Sequence, residues 1–310
     1  MKRFLVIRII HATLTVIAIS IAVFVLLRVA GGDPARLVLG PLAPPSAVAA
    51  LRQELGLDAP IPEQYGAWVG GLVRGDFGDS ISRRTSVSSL IGPRVMPSAL
   101  LIAYSLVLSV AIGIPLGIFA AVRRNRLGDQ LVRLAATVAL AMPAFWVGLL
   151  LILLFSLELG IFPLAGYGEG FGEHLVRLTL PSVTVSFLVA PLIIRTVRAS
   201  MLETLSSEFV EAAEARGLAP TRILYKHALR NAIIPTITLL GVIIGYLLSW
   251  TVVVENVFAI PGLGSLLISS VQSRDYPVIE VVAVLFGVVV VIASLVTDLA
   301  YAAIDPRVRL

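Results

Sequence analysis

Six stretches of the chain are strongly apolar and contain no aspartate, glutamate, lysine or arginine. They span residues 9–27, 98–122, 134–157, 178–194, 232–254 and 281–297, and the last can continue past Asp298 to residue 304. A helix needs about 20 mostly apolar residues to cross a bilayer. Backbone groups in lipid must pair within their own segment, and these stretches lack the alternation typical of barrel strands. The pattern therefore predicts an all-α membrane protein whose six apolar stretches are transmembrane helices.

The positions of lysine and arginine predict the orientation of these helices. The N-terminus, the loops after the second and fourth stretches, and the tail together carry 15 basic residues. The short loops on the opposite side carry only Arg177 and Arg274. Because basic residues accumulate on cytoplasmic loops, both termini are predicted to lie in the cytoplasm.

These boundaries divide the chain into an N-terminal transmembrane helix, an extracytoplasmic segment, a five-helix core and a cytoplasmic tail. Their ranges are 1–30, 31–97, 98–304 and 305–310, and the core includes a cytoplasmic loop at 195–231. Arg28 stands where a signal-peptide cleavage site would be small and neutral, which favours an uncleaved anchor. The extracytoplasmic segment is predicted to cap the outer mouth, with a short helix at 51–57 that ends at Gly56.

Composition agrees with a membrane protein. Hydrophobic residues make up 58% of the chain and charged residues 14%, whereas soluble domains are about 25% charged. The net charge of +5 is explained by arginines on cytoplasmic loops rather than by contact with nucleic acid. The absence of cysteine excludes disulfides, zinc–thiolate sites and thiol nucleophiles, and no metal site is predicted.

Prolines and glycines inside the apolar stretches predict kinks and close packing. Kinks are possible where proline frees backbone carbonyls, at Pro115, Pro143, Pro181 and Pro191. Small-residue pairs at a spacing of four permit close helix contact, at Gly113 with Gly117 and Gly241 with Gly245.

The cytoplasmic loop at 195–231 has a helical pattern. Residues 208–216 are rich in glutamate and alanine, which favour helix formation. Residues at i, i+3, i+4 and i+7 are predicted to share one face: Phe209, Ala212, Ala213 and Arg216. Gly217 is predicted to end this helix, and a second amphipathic stretch follows at 222–231. A compact knob of this kind suits docking of a soluble partner better than a solvated connection.

Segments spread along the whole chain resemble motifs of one protein family. Glu211-Ala-Ala213, Gly217 and Ile233-Ile-Pro235 are similar to the EAA loop of binding-protein-dependent permeases. Seven segments of this chain are similar to the dipeptide/oligopeptide/nickel branch in particular. They are Gly32-Asp-Pro-Ala-Arg36, Glu54-Leu-Gly-Leu-Asp58 with Gln64-Tyr65, Gly75-Asp-Phe-Gly78, residues 227–235, residues 258–264, Arg274-Asp-Tyr-Pro277 and residues 305–309. Many members of this branch have a more basic tripeptide where this chain keeps Glu211.

The resemblance implies the type I ABC importer transmembrane fold in the inner membrane and a division of labour. Two homologous permease subunits form the pathway, two ATPase subunits or domains bind ATP and Mg and hydrolyse the nucleotide, and an extracytoplasmic binding protein delivers the substrate. The cytoplasmic loop is expected to dock on the ATPase through Phe209, Glu211, Ala212, Ala213, Arg216, Gly217 and Arg222. The expected outer-mouth or gating residues are Pro261, Gly262, Gly264, Arg274 and Asp275. Ser249 and Thr251 are candidates for the pathway. Residues 266–271 are candidates for a short re-entrant or interfacial helix.

Other function classes find less support in the sequence. There is no G-x-x-x-x-G-K-[ST], H-E-x-x-H or G-x-S-x-G motif, so neither a nucleotide site nor a catalytic constellation is predicted. A secondary transporter would need an ionisable residue in the membrane, and Asp298 is the only candidate within the predicted spans. Short peptides are the favoured substrate, with glutathione-like peptides and nickel chelates as alternatives.

Overall fold

The computed structural model describes residues 2–30, 33–40, 42–54 and 56–304, so the predicted tail at 305–310 and the motif residue Gly32 lie outside the described residues. Almost all of its regular structure is helical, apart from an isolated β-bridge between Asp79 and Ser86. The helices are α1 (Lys2–Ala30), α2 (Pro34–Leu39), α3 (Pro45–Glu54), α4 (Ile61–Arg74), α5 (Val87–Val122), α6 (Leu127–Ala141), α7 (Ala144–Leu151), α8 (Phe171–Leu205), α9 (Glu208–Ala215), α10 (Pro220–Arg222), α11 (Leu229–Val257), α12 (Leu263–Gln272) and α13 (Tyr276–Ile304). Two π-helical segments, Ile152–Glu158 and Ile223–Ala228, extend α7 and join α10 to α11.

Five helices in the described part of the chain are long and apolar enough to cross a membrane: α1, α5, α8, α11 and α13. A sixth crossing is formed if α6 and α7, with the π-helical extension of α7, count as one bent span. The all-α membrane fold predicted from the apolar stretches is therefore confirmed. Two helices are longer than the apolar stretches that predicted them. Helix α11 continues past the end of its stretch through Glu255, and α13 begins ahead of its stretch, before Glu280.

The third predicted span is not one straight helix. Its two halves, α6 and α7, meet at an angle of 104°. Met142 has φ −86° and ψ 131°, and Pro143 has φ −64° and ψ 136°, so both residues are extended. Proline disfavours helical geometry in the residue before it and lacks the N–H that would continue the helical ladder. Pro143, predicted as a possible kink, therefore breaks the span.

The chain forms two compact units. The first comprises Pro97–Ile260 and the part of α13 from Ala293 onward, and the second comprises Lys2–Met96 and Pro261–Ile292. Helix α8 is the centre of the first unit, since 72% of its apolar window is buried against 28% for α11. A Cβ added at Gly113 or Gly117 would lie 2.7 Å from Ile193 or Val197, so only glycine permits the observed contact between α5 and α8. The predicted close packing at this pair is confirmed.

The second unit has an apolar core and an aromatic cluster. The core joins the start of α5 to α12 and α13 through Val87, Leu266 and Val278. The aromatic cluster joins α1 to α4, with the Phe24 ring centroid 5.3 Å from Tyr65 and 5.4 Å from Trp68.

The predicted helix at 51–57 differs from the observed one. Helix α3 begins at Pro45 and ends at Glu54, ahead of Gly56, whose φ is +65°. Two prolines start the next helix, because Pro60 is the N-cap of α4 and Pro62 lies in its first turn. Proline suits the first turn because the N–H groups there have no partner within the helix.

Candidate functional site

The loop between α8 and α11 is built around the short helix α9, and residues 206–219 are called the α9 loop below. Ser207 is the N-cap residue in extended conformation, and its carbonyl oxygen accepts from the N–H of Val210 at 2.9 Å. Glu208 and Glu211 occupy the first turn, where negative charge is favoured by the helix dipole.

Gly217 ends α9, as predicted. Its φ of +74° is a left-handed conformation that favours glycine. The N–H of Gly217 donates to the carbonyl of Glu214 at 2.9 Å, and the N–H of Leu218 donates to the carbonyl of Ala213 at 3.2 Å. This pair of bonds is a Schellman motif, which satisfies the last carbonyls of the helix. The turn is therefore a fixed structure rather than a flexible link.

A small apolar cluster anchors the α9 loop to the helix that follows it. Val210 and Ile223 are buried, and with Ala213 they pack against the partly buried Leu218. Leu218 is the residue after the left-handed glycine, where an apolar contact with the helix commonly accompanies a Schellman motif. The cluster holds α9 against the start of the π-helical segment that follows α10.

The outward side of α9 carries an exposed aromatic ring beside charged groups. Phe209 is 43% exposed, and Glu211, Ala212 and Arg216 are also exposed. Ala213, predicted to share a face with these residues, is instead buried in the cluster with Val210. The exposed side of α9 thus combines one aromatic ring with charged groups of both signs, Glu211 and Arg216.

The second predicted stretch, 222–231, belongs to one continuous helical path into the membrane. Pro220 starts α10, and exposed Arg222 ends it. The path continues through the π-helical segment into α11, with Pro235 inside that helix. The helical path from Pro220 to Val257 is therefore unbroken.

The predicted outer-mouth residues lie around α12, which contains the stretch predicted to form a short helix. Gly262 and Gly264 are buried, whereas Pro261 and Arg274 are exposed. The Gly262 N–H donates to the Ser265 hydroxyl at 3.1 Å, which caps the start of α12. Arg274 has a left-handed φ of 54°.

Asp275 is fully buried and fixes the loop that precedes α5. Its carboxylate accepts from the Ser80 hydroxyl at 2.5 Å, the Ser82 hydroxyl at 2.6 Å and the Ile81 N–H at 3.0 Å. The structure thus brings Asp275 to a segment that the sequence did not connect with it.

Helix α11 carries a continuous exposed stripe. Exposed residues recur every three or four positions along it: Thr238, Val242, Tyr246, Ser249, Val253 and Asn256. Ser249, a predicted pathway residue, lies on this stripe. Thr251 is buried, and its hydroxyl donates to the carbonyl of Leu248 at 3.0 Å. The structure therefore supports Ser249 as a surface candidate and places Thr251 in the interior.

Three buried polar pairs were not anticipated from the sequence. Asp129 accepts two bonds from Arg198, Glu255 accepts from the Ser98 hydroxyl at 2.5 Å, and Glu280 pairs with Arg28. Each acidic residue lies at or near one end of an apolar stretch, where a charge is easily assigned to a loop. Of these pairs, the one between Arg28 and Glu280 could have been suspected from the sequence. The two residues border apolar stretches and carry opposite charges, and buried charges are normally paired.

No group of three or more histidine, aspartate or glutamate residues in the described part of the chain has the geometry of a metal site.

Comparison with known proteins places the chain in a family. Residues 113–310 match the family described as binding-protein-dependent transport system inner membrane component, and residues 1–88 match its N-terminal model. The chain is 42% identical over 295 residues to the glutathione transport system permease protein GsiC of Escherichia coli strain K12, covering 95% of both proteins. It is 40% identical over 295 residues to GsiC of Salmonella paratyphi A, again covering 95% of both.

A solved structure shares the fold. The chain superposes on a chain of the inward-facing MetNI methionine ABC transporter with a TM-score of 0.59 and 20% identity, covering 70% of this chain and 96% of that one. This likeness confirms the importer-permease fold that the sequence motifs implied. The chain belongs to the family of binding-protein-dependent transport system inner membrane components, the non-catalytic membrane subunits of ABC importers.

Proposed function

We propose that this chain forms half of the translocation pathway of an importer for short peptides, including glutathione-like tripeptides. The observation that carries the proposal is the α9 loop, a rigid protrusion with an exposed aromatic ring that continues directly into α11. The relatives named for glutathione transport favour a peptide of that size over a nickel chelate.

Partner subunits supply the energy in this proposal. Two ATPase subunits or domains bind ATP and Mg on the cytoplasmic side, where both termini and the α9 loop also lie. Phe209 and Ala212 contact the ATPase surface, Glu211 meets a basic or amide group there, and Arg216 and Arg222 flank the contact. Because the Schellman turn at Gly217 is fixed, displacement of α9 is transmitted to α11 instead of being absorbed by the loop.

A second, homologous permease completes the pathway, and an extracytoplasmic binding protein delivers the peptide near Pro261 and Arg274. The exposed stripe of α11 suits the pathway because four of its six residues have polar side chains: Thr238, Tyr246, Ser249 and Asn256. Polar groups facing lipid are unfavourable, whereas the same groups facing a hydrated pathway find partners.

The proposal is tested with the complete assembly in proteoliposomes. Uptake of labelled glutathione and ATP hydrolysis stimulated by the binding protein are measured together. Gly217→Pro cannot adopt the left-handed conformation, and Glu211→Arg reverses a charge on the docking side. Both variants are expected to insert and assemble, to lose most uptake, and to lose the response of hydrolysis to the binding protein.

Glu203→Arg is the matched control, since it makes the same charge change at an exposed position of α8 outside the α9 loop. Unimpaired uptake in both α9 variants would refute the docking role. A dipeptide and a nickel–histidine chelate are assayed alongside glutathione, and stimulation by the chelate alone would refute the peptide assignment.

A further inference from the structure

An apolar groove with a volume of about 420 Å³ opens between α5, α6 and α8 of the first unit. Its lining is aliphatic or aromatic except for Ser186. The Ser186 hydroxyl is bonded within the protein, to the carbonyl oxygens of Ser182 at 2.7 Å and Ser105 at 3.0 Å. Among the described side chains that line it, the groove thus offers no unpaired polar group, and its occupant must be apolar there.

The groove has the length of one membrane leaflet. On α8 it extends from Val183 to Ile194, which corresponds to about 17 Å of helix. Half of the hydrocarbon core of a bilayer is about 15 Å thick. A single acyl chain lying along the helices would therefore match the groove from end to end.

Two arginines lie beyond the same end of the groove. Arg123 comes directly after α5, 11 residues or about three turns after the lining residue Ile112, and its N–H still donates to the Phe119 carbonyl at 3.1 Å. On α8, Arg198 follows the lining residue Ile194 by four positions, on the same face.

Helix α6 brings these two arginines to one level. A Cβ on Gly128 would lie 3.5 Å from Cδ of Arg123, and the next residue, Asp129, pairs with Arg198. The end of the groove lined by Leu116 and Ile194 is therefore bordered by two guanidinium groups.

Both arginine side chains reach the surface of the chain. The Arg123 side chain is exposed and stacks over the Phe119 ring at 4.6 Å, and it has no carboxylate partner among the described residues. Arg198 donates Nε and Nη2 to Asp129, and its side chain keeps 19% of its surface exposed. Arginine binds phosphate through paired N–H donors, and basic sites between membrane helices bind anionic lipid headgroups.

We propose that this groove is a binding site for an anionic phospholipid, with an acyl chain between α5, α6 and α8 and the headgroup phosphate on Arg123 and Arg198. The site lies outside the transport pathway proposed above, and its occupancy does not depend on which peptide is carried. Charge complementarity selects this occupant, because the lining offers no unpaired polar group and three arginines, Arg123, Arg133 and Arg198, lie with the single carboxylate of Asp129 at one end.

The test uses fluorescence quenching by brominated lipids. The chain has no cysteine, so Leu131→Cys, at the rim of the groove, gives this subunit a single labelling position. Leu153→Cys, exposed on the extension of α7 and away from the groove, serves as the reference position. The complete assembly is reconstituted in phosphatidylcholine containing brominated phosphatidylglycerol or, separately, brominated phosphatidylcholine.

At Leu131 phosphatidylglycerol is expected to be preferred about fivefold, as for one arginine at an anionic headgroup, and at Leu153 no preference is expected. Arg123→Gln should abolish the preference, whereas Arg124→Gln, the exposed neighbour off the groove face, should retain it. Ala135→Phe, which fills the groove, should reduce quenching by both lipids, and Thr137→Phe, outside the lining on α6, should not.

Equal quenching by the two lipids at Leu131 would overturn the proposal. So would a label that is quenched in the isolated chain but shielded in the assembly, because the groove would then be covered by another subunit. These measurements require no transport, so a failure of peptide uptake in the same proteoliposomes would count against the proposed function and leave the lipid site standing.

Discussion

Asp129 in the first unit and Asp275 in the second are both fully buried aspartates that hold irregular backbone against a helix. Asp129 accepts from the N–H of Asn125 at 2.9 Å, in the turn between α5 and α6. Asp275 accepts from the N–H of Ile81 at 3.0 Å, in the loop before α5. The two sites differ in the charge of their main partners, and that difference decides how each responds to mutation.

Asp129 is held by a cation. Arg198 donates to its two carboxylate oxygens at 2.6 and 2.7 Å, and Arg133 lies 3.5 Å away. Asp275 is held by neutral groups, of which the hydroxyls of Ser80 and Ser82 are the nearest. Removing Asp129 leaves a largely buried guanidinium without its partner, whereas removing the charge of Asp275 leaves hydroxyls that can rotate to other acceptors.

The pair of Asp129 and Arg198 connects helices α6 and α8 close to the α9 loop. Arg198 is near the end of α8, which leads through Ser206 and Ser207 into α9. The pair fixes α8 to the start of α6 just before the α9 loop. We infer that displacement of the loop moves α6 and α8 together.

The largest effect is expected from Asp129→Ala. Loss of charge-assisted bonds should lower the free energy of unfolding by about 2–3 kcal/mol, seen as a reduced melting temperature of the purified assembly. The double variant Asp129→Ala with Arg198→Leu should recover much of this loss, because replacing both partners of an ion pair by apolar groups is often close to neutral. If the double variant were as unstable as Asp129→Ala alone, the pair would not be the source of the stability.

A smaller effect is expected from Asp275→Asn. The amide retains one acceptor oxygen, but in either orientation its NH₂ group faces a backbone N–H, that of Ile81 or Ser82, which cannot accept from it; this costs about 1–3 kcal/mol locally. Hydrogen exchange of the Ile81 and Ser82 amides should become faster while that of α8 is unchanged. Asp79→Asn, at an exposed position of the same loop, is the control and should leave these amides protected. Unchanged exchange in Asp275→Asn would show that the loop is held by other contacts.

A structural feature could be predicted from the sequence when the residues that form it lie close together along the chain. The end of α9 was predictable because Gly217 and Leu218 complete a motif within five residues of Ala213. The membrane helices were predictable from apolar length, but their ends were not, since Glu255 and Glu280 lie inside helices and are stabilised there by Ser98 and Arg28.

Contacts between residues far apart along the chain could not be predicted from local sequence patterns. Asp275 was identified as a candidate from its motif, yet its partner Ser80 is 195 residues away, and no periodicity connects the two. The bend at Pro143 was foreseen as a possible kink, but its angle of 104° follows from the extended conformation of Met142 as well. Sequence thus identified the residues with unusual roles more readily than the residues they contact.

The smallest effect is expected from Ser82→Ala, and it sharpens the comparison most. Asp275 accepts from four groups of the 80–82 segment, and this variant removes one hydroxyl while keeping the Ser82 N–H, which lies 3.3 Å from the carboxylate. Because the remaining donors still satisfy the carboxylate, the loss should be about 1 kcal/mol or less. Combining Ser82→Ala with Asp275→Asn should add little, since both remove the same bond, whereas combining it with Asp129→Ala should be additive. Melting of the wild type, the three single variants and the two double variants in one detergent measures both cycles. Strong coupling between Ser82 and Asp129 would contradict the view that the two aspartates stabilise their units independently.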